Sequence, residues 1–533
     1  MKRLLACLLT LTLLVVSAAA LADESTAKSE KRIIFSIQAD PVTLDPTINN
    51  VSPGTTITAQ LFGGLFKYAK SGSELIPDLA EGYTISEDGL TYFVTLKENA
   101  KFSDGSAITA QDVYYSYLRC LDPLVGSTLT TDLRPIKNAD AYNKGEVAKE
   151  DVGIQVIDDR TIAFTVEVVT PWFLSQSGGY KIVKANIAED NPDWLKSPET
   201  IICSGPFLIT SIEPKAKYAL AKNPYYYRAE EMAVEAVDIV IIEAAEAELT
   251  AYANGEIDVA DNLNADATLQ YKDTPEFFIT PRLGIQYCDF NCELPQFTDA
   301  RVRKALAMAI DRQWILTNIL QTTQPPVFGF VPNSQPSLTD PSKSYREVAG
   351  DLFKEDIEEA KRLLAEAGYP NGEGFPSFQV VVRSTAEQVD LAQALQALWQ
   401  QNLGINCEIV TYEASSTYWS ELAEGNFGVD RSGYTVGYLD PGANLLIWTT
   451  GGNAFENRWD DPAFDEIIAK ANAELDPALR EQLIIEAETY LVEQMPGFPV
   501  YSYDDSYLVK PYILDLLKPA AGRIGFEYAT FAD

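Results

Sequence analysis

Residues 79–123, LAEGYTISEDGLTYFVTLKENAKFSDGSAITAQDVYYSYLRCLDP, decide how the rest of this chain is read. Ser86-Glu87-Asp88-Gly89 is a turn signal, Thr91 to Leu96 alternates apolar and polar residues as a half-buried strand does, and Ser103-Asp104-Gly105 is a second turn. Thr109 to Gln111 then cap a helix that carries Val113, Tyr114, Tyr117 and Leu118 on one face. A hairpin followed by an amphipathic helix is therefore predicted. Gly89 and Gly105, and Gly255 further on, are turn residues of the kind that positive φ requires.

Outward from that block, the N-terminus reads as an export signal. Lys2 and Arg3 precede an apolar run from Leu4 to Val16, and Ala20-Leu21-Ala22 is a small-x-small cleavage site ahead of Asp23. Residues 1–22 are thus expected to be a signal peptide, because a membrane anchor needs about 20 apolar residues. Leu4 to Cys7 has the look of a lipoprotein box, but the apolar run follows Cys7 instead of preceding it, so lipid attachment is not expected. Asp23 to Lys31 is a polar leader, Ile34 to Ile37 a strand, Thr47 to Gly54 a polar loop, and Thr56 to Phe66 the start of a helix. Helical periodicity returns over Ile357 to Ala367, Leu391 to Gln401 and Pro477 to Glu493, with strands at Phe378 to Val382 and Ile405 to Val410 between them. Gly497 to Tyr503 and Tyr507 to Val509 are strands near the C-terminus. Alternating strands and helices over this length mean an α/β protein of two or three lobes.

Composition excludes several chemistries. The chain has no histidine, which removes Ser-His-Asp and Cys-His catalysis, HExxH chemistry and His-ligated zinc, nickel or haem. GxSxG, Walker A and GxGxxG segments are absent as well. The formal charge is −36, becoming −38 when Lys2 and Arg3 leave with the signal segment, which repels nucleic acid and anionic lipid. Five cysteines follow residue 22: Cys120, Cys203, Cys288, Cys292 and Cys407. That odd number is not a disulfide framework. Cys288 and Cys292 can pair only if the chain turns between them, since extended chain would separate them by about 13 Å.

The segment Phe427 to Trp448, FGVDRSGYTVGYLDPGANLLIW, mixes Arg431, Tyr434 and Tyr438, with Tyr418 just upstream, four glycines and an Asp440-Pro441 turn with little helical periodicity. Loops of that composition present ligand-binding groups on a rigid scaffold, although a strand followed by a structural turn has the same composition.

The block at 79–123 resembles the signature region of the extracellular dipeptide- and oligopeptide-binding proteins that serve ABC importers. The resemblance continues in order through Asp158 to Ile162, Gly205-Pro206-Phe207, Asn223-Pro224-Tyr225-Tyr226, Gly255-Glu256-Ile257-Asp258, Phe297 to Leu306 with Ala309 to Arg312, Ala360 to Tyr369, and Asp461 to Asp465. Most of these motifs have structural readings. Tyr225, Tyr226 and Tyr227 are expected to pack between lobes, and Asp299, Arg301 and Arg303 to form the capping or solvated face of a helix.

The resemblance implies an α/β, two-lobed periplasmic-binding-protein fold of type II, with an extra α/β domain inserted in the first lobe and a two-stranded hinge. Lobe I would comprise 31–62, 185–286 and 506–533, the insert 63–184, and lobe II 287–505, with hinge strands near Tyr287 and Ser502 to Tyr507. It further implies a peptide enclosed between the lobes and held through its main chain, delivery to a membrane permease, a monomer, no cofactor or metal, no nucleic acid, no catalysis, and a place outside the cytoplasmic membrane. Carried over position by position, Asn50, Val51 and Ser52 would lie on the first-lobe loop that touches ligand, and Arg431, Gly433 and Thr435 on the second-lobe strand. Tyr434 would be that strand's aromatic, with Gly437, Tyr438 and Asp440 completing the site. The family's peptide binders have an aspartate three residues beyond the strand aromatic, pairing with the ligand's α-ammonium, and here that residue is Gly437. Either Asp440 or Asp430 substitutes, or the ligand lacks a free N-terminus. An oligosaccharide fits the aromatic content, and a secreted hydrolase using paired carboxylates is the remaining rival.

Overall fold

The computed structural model describes residues 30–185, 187, 191, 193–452 and 458–532. The expected signal segment 1–22, with Cys7, and most of the leader lie outside the described residues. No described helix is long and apolar enough to cross a membrane. The chain divides into two compact units, the first running through Thr280 and resuming at Asp505, the second spanning Pro281–Asp504.

In the first unit, strand β1 (Arg32–Ile37) buries Ile33, Phe35 and Ile37 completely or nearly so. The chain continues through helix α1 (Ser52–Leu61) into a separate four-stranded antiparallel sheet. Its strands are β2 (Ala80–Ile85), β3 (Thr91–Leu96), β4 (Ile154–Val156) and β5 (Thr161–Thr165), in the order β2-β3-β5-β4. Strand β3 has the predicted bounds because Tyr92, Val94 and Leu96 alternate into a buried cluster while Phe93 faces out. Helix α2 (Ala110–Leu121) starts where Thr109 predicts, and the Asp112 carboxylate accepts from the Thr109 amide at 2.8 Å and its hydroxyl at 2.7 Å.

Strands β6 (Phe207–Glu213), β7 (Lys217–Lys222), β8 (Ala236–Ile241) and β9 (Val259–Ala260) complete the main sheet of this unit. Strand β1 is parallel to β8 and to β9, and the β6-β7 and β7-β8 pairs are antiparallel. Residues 63–184, expected as an insert, have their own sheet and their own apolar cluster, yet belong to the same unit. Buried ion pairing ties them in. Lys67 Nζ lies 2.8 Å from Glu527, and the Tyr226 hydroxyl lies 3.0 Å from Asp78 and 3.1 Å from Glu527. Burial works against the Lys67 charge, but Asp78 and Glu527 outweigh it and hold its pKa above the ordinary lysine value. Tyr226 and Tyr227 therefore serve the interior of the first unit, and Tyr225 is exposed.

The second unit begins within β10 (Phe277–Phe290) and contains helix α3 (Ala300–Met308), helix α4 (Ile357–Glu366) and strand β11 (Phe378–Arg383). Helix α5 (Ala386–Leu403), strand β12 (Cys407–Tyr412), helix α6 (Ser415–Glu424) and strand β13 (Val429–Thr435) follow. Helices α7 (Pro462–Ala473) and α8 (Pro477–Gln494) then lead into β14 (Gly497–Val509). The strand order is β12-β11-β13-β10-β14, with β11 parallel to both β12 and β13, and β13 antiparallel to β10. The two C-terminal strands expected at 497–503 and 507–509 are one continuous strand. Asp299 caps α3 through the Arg301 amide, as expected, whereas Arg303 is buried, with its guanidinium donating to the carbonyls of Phe297, Gln494 and Met495. A guanidinium can serve a helix interior when backbone carbonyls take its protons. The five described cysteines are all free thiols: Cys288 is buried in β10, and Cys292 lies beyond that strand, with its sulfur toward the Phe290 and Pro496 carbonyls.

Candidate binding strand

The stretch Phe427 to Trp448 resolves into β13 and two short turns of 3₁₀ helix. Much of it is core. Phe427 is buried, and the Trp448 ring packs 5.2 Å from Tyr287 and 4.7 Å from Phe330. Residues Arg431 to Thr435 are the exception, and backbone pairing shows why.

Strand β13 pairs with β10 along its whole length, from Val429 opposite Phe290 to Thr435 opposite Gly284. On its other side β11 matches only Val429 and Asp430. From Arg431 onward the strand therefore has, among the described residues, a strand neighbour on one side only. The Val436 amide donates to the Leu283 carbonyl at 3.0 Å, so the even-numbered residues hydrogen-bond β10. Arg431, Gly433 and Thr435 then direct their amides and carbonyls toward the side that β11 has left. The Arg431 carbonyl accepts from the buried Tyr418 hydroxyl of α6 at 2.7 Å, so the open stretch of edge consists of Gly433 and Thr435, both exposed.

Side chains follow the same alternation. Arg431, Gly433 and Thr435 share one face, and Tyr434 sits half-buried on the other, against the core of the unit. A Cβ on Gly433 would lie 2.0 Å from the Tyr503 hydroxyl, so the absence of a side chain lets Tyr503 of β14 reach across to β13. Tyr501 and Tyr503 form an edge-to-face pair with centroids 5.7 Å apart. The Glu387 carboxylate, in the first turn of α5, accepts from the Tyr501 hydroxyl at 2.6 Å and lies 3.1 Å from Arg431 Nη2. Burial disfavours the Arg431 charge, but Tyr503, Tyr501 and Glu387 together keep its pKa above the ordinary arginine value. Helix α5 begins at the C-terminal end of a parallel strand, where open α/β sheets place ligands.

The remaining expected site residues separate into distinct settings. Gly437 is exposed, and a Cβ built on it meets no atom within 4 Å. Tyr438 is half-buried. Asp440 is buried, caps the following turn through the Ala443 amide at 3.1 Å, and forms a two-pronged pair with Arg480 at 2.6 and 2.9 Å. Asp430 is also fully buried, 3.3 Å from the Tyr418 hydroxyl. Neither acid that the sequence offers in place of an aspartate at 437 is presented to solvent.

Asn50, Val51 and Ser52 belong to the first unit. All three are exposed, and they form the N-terminus of α1, which begins at Ser52 with Pro53 in its first turn, ahead of the helix start expected at Thr56. Their loop is held by Asp45, which takes Arg119 at 2.9 and 2.6 Å and the Thr47 amide at 3.0 Å. Asn50 itself donates to the Thr128 hydroxyl at 2.7 Å. Tyr418 stands just upstream of the stretch that the sequence singles out, whereas Glu387, Tyr501 and Tyr503 are not marked as site residues by sequence reasoning. The Tyr-x-Tyr alternation at 501–503 was the available signal, and nothing local marks Glu387.

Residues 74–456 match the model of the bacterial extracellular solute-binding proteins, family 5. The chain is 28% identical to the dipeptide-binding protein DppE of Bacillus subtilis over 518 residues, covering 95% of this chain and 93% of that one. It is 28% identical to the periplasmic murein peptide-binding protein MppA of Escherichia coli over 516 residues, covering 95% and 94%. The structure of the murein tripeptide-binding protein MppA in its unliganded open form superposes with a TM-score of 0.84 at 26% identity, covering 94% of this chain and 97% of that one.

Proposed function

This chain belongs to the bacterial extracellular solute-binding proteins of family 5, and from that premise we propose that it captures peptides outside the cytoplasmic membrane and hands them to an ABC permease. Residues 1–22 direct its export, and it acts as a monomer without turnover. The observation that carries the peptide assignment is the one-sided strand. An extended peptide laid against Gly433 and Thr435 receives main-chain hydrogen bonds from an edge that no other strand among the described residues occupies, and this mode of recognition is indifferent to most side chains. The names of the relatives, dipeptide- and murein peptide-binding proteins, point to the same ligand class.

The proposed ligand is not anchored by its α-ammonium at residue 437. Glycine offers no charge there, and Asp430 and Asp440 are both buried. The ligand is therefore a peptide whose amino terminus is blocked or lies away from this position.

Native mass spectrometry of the protein purified from its host tests the ligand class. Recovery of bound peptides is expected, and recovery of a glycan or of another non-peptide solute in stoichiometric amount would overturn the reading. Gly433→Ala tests the strand itself. The new methyl would lie 2.0 Å from the present position of the Tyr503 hydroxyl and displaces it, and titration calorimetry should show peptide affinity falling by about tenfold, the equivalent of one good hydrogen bond. Undiminished affinity would remove the strand from the binding surface.

A further inference from the structure

We propose that Glu387 makes the Arg431 end of this strand a receptor for a cationic peptide side chain, lysine or arginine, and a barrier to an anionic one. The inference rests on the peptide reading above and adds which side chain the face accepts.

Arg431 is the charge that the sequence singled out for the strand. Its guanidinium is turned inward: the side chain is 15% exposed, whereas that of its partner Glu387 is 53% exposed. A single carboxylate oxygen, Oε1, accepts from Tyr501 at 2.6 Å and from Arg431 at 3.1 Å. The Arg431 positive charge is thus already matched within the protein. The other oxygen, Oε2, has no hydrogen-bond partner among the described residues and belongs to the more exposed member of the pair. A ligand carboxylate arriving here would meet a like charge and would have to displace Glu387 to reach Arg431. A ligand ammonium or guanidinium would instead gain a charge-assisted bond to Oε2, with a carboxylate whose position two neighbours already fix.

Two further features favour a cation. Buried Tyr501 holds the carboxylate through its hydroxyl, and the half-buried Tyr503 ring packs against Tyr501; an aromatic ring suits both the alkyl stem and the charged head of lysine or arginine. The formal charge of −36 draws cations toward the molecule at long range. Gly437 lies six positions beyond Arg431, about 20 Å of extended chain, so the group taken by Glu387 is distinct from any group opposite Gly437.

The test is titration calorimetry with short alanine peptides, N-acetylated and C-amidated, carrying one lysine, norleucine or glutamate scanned along the chain. A fourth set has norleucine and a free amine. The wild-type protein should bind the best lysine peptide about tenfold or more tighter than its norleucine counterpart, and the glutamate peptide most weakly. Glu387→Gln should erase the lysine preference and raise the affinity for glutamate, because Arg431 then lacks its carboxylate. Arg431→Met should retain the preference for lysine. A merely structural ion pair would leave the ranking of the peptides unchanged in both variants. Equal wild-type affinity for lysine and norleucine, or a lysine preference that survives in Glu387→Gln, overturns the inference and leaves the peptide reading intact. A preference only for the free amine, lost in Glu387→Gln, would assign the cation to the peptide terminus and overturn the side-chain assignment. Failure of every peptide to bind would overturn the peptide reading and this inference with it.

Discussion

Asp440→Ala is expected to lower the unfolding free energy by about 3–5 kcal/mol, the usual consequence of leaving one member of a buried ion pair alone. Both side chains of the Asp440–Arg480 pair are 4% exposed, and the two oxygens of Asp440 take the two terminal nitrogens of Arg480 at 2.6 and 2.9 Å. Without the carboxylate, the guanidinium loses both of these charge-assisted bonds while its Nε stays on the Ala471 carbonyl at 3.2 Å, and the Ala443 amide loses its side-chain cap. For a unit of this size the melting temperature should fall by roughly 10 °C. Two controls identify the mechanism. The double variant Asp440→Leu/Arg480→Met should regain most of the loss, since it removes both charges. The milder Asp440→Asn, held below its melting temperature, should bind peptide as the wild-type protein does. A hundredfold loss of affinity in Asp440→Asn with unchanged melting would restore Asp440 to the ligand and contradict the structural role given to it here.

The same pair shows where sequence reading stops. Asp440-Pro441 looks like an exposed acidic turn because a turn is all that its neighbours specify, and Arg480, which buries it, comes forty residues later in the chain. Glu387 is invisible for the same reason: it meets Arg431 across 44 residues, and a glutamate in the first turn of a helix is otherwise a routine dipole partner. Arg303 reads as solvated on a helical wheel, but the Gln494 and Met495 carbonyls at the far end of α8 accept its protons. By contrast, β3 and α2 were legible to the residue or nearly so. The strand's period of two and the Thr109–Asp112 capping box are both written within a few neighbouring positions. The sequence pattern points to Thr56 for the start of α1 because its actual first turn, Ser52-Pro53-Gly54, is polar and loop-like in composition, although proline in a first turn is a recognised start signal. In the binding strand, the alternation of Arg431, Gly433 and Thr435 follows from local sequence. The open edge does not, because it exists only where β11 stops pairing at Asp430. Local order fixes elements, and the chemistry of this site depends on contacts between elements far apart in the chain.

Gly437→Asp should convert the protein into one that recognises a free peptide N-terminus. Residue 437 is exposed, a Cβ there meets no atom within 4 Å, and its backbone lies outside the left-handed region that only glycine enters readily. The substitution is therefore expected to leave the melting temperature unchanged within a degree or so, as for a surface change. The new carboxylate stands two residues beyond Thr435, close to where a peptide on the open edge would end. A charge-assisted bond to an ammonium contributes about 1.5–3 kcal/mol, so a peptide with a free amine should bind roughly 10- to 100-fold tighter than its N-acetylated twin. In the wild-type protein the two should bind alike, because glycine provides no charge at this position. Calorimetry on matched pairs, repeated at high salt to weaken the ionic part, separates this gain from a general change in affinity. Should the wild-type protein already prefer the free amine by an order of magnitude, another acid must hold it, and the inference that the amino terminus goes unrecognised at residue 437 fails. Should Gly437→Asp leave the ratio at one, the peptide runs along the strand without its terminus reaching this residue. Register along the edge, and not the missing aspartate, would then be what separates this chain from the peptide binders it resembles.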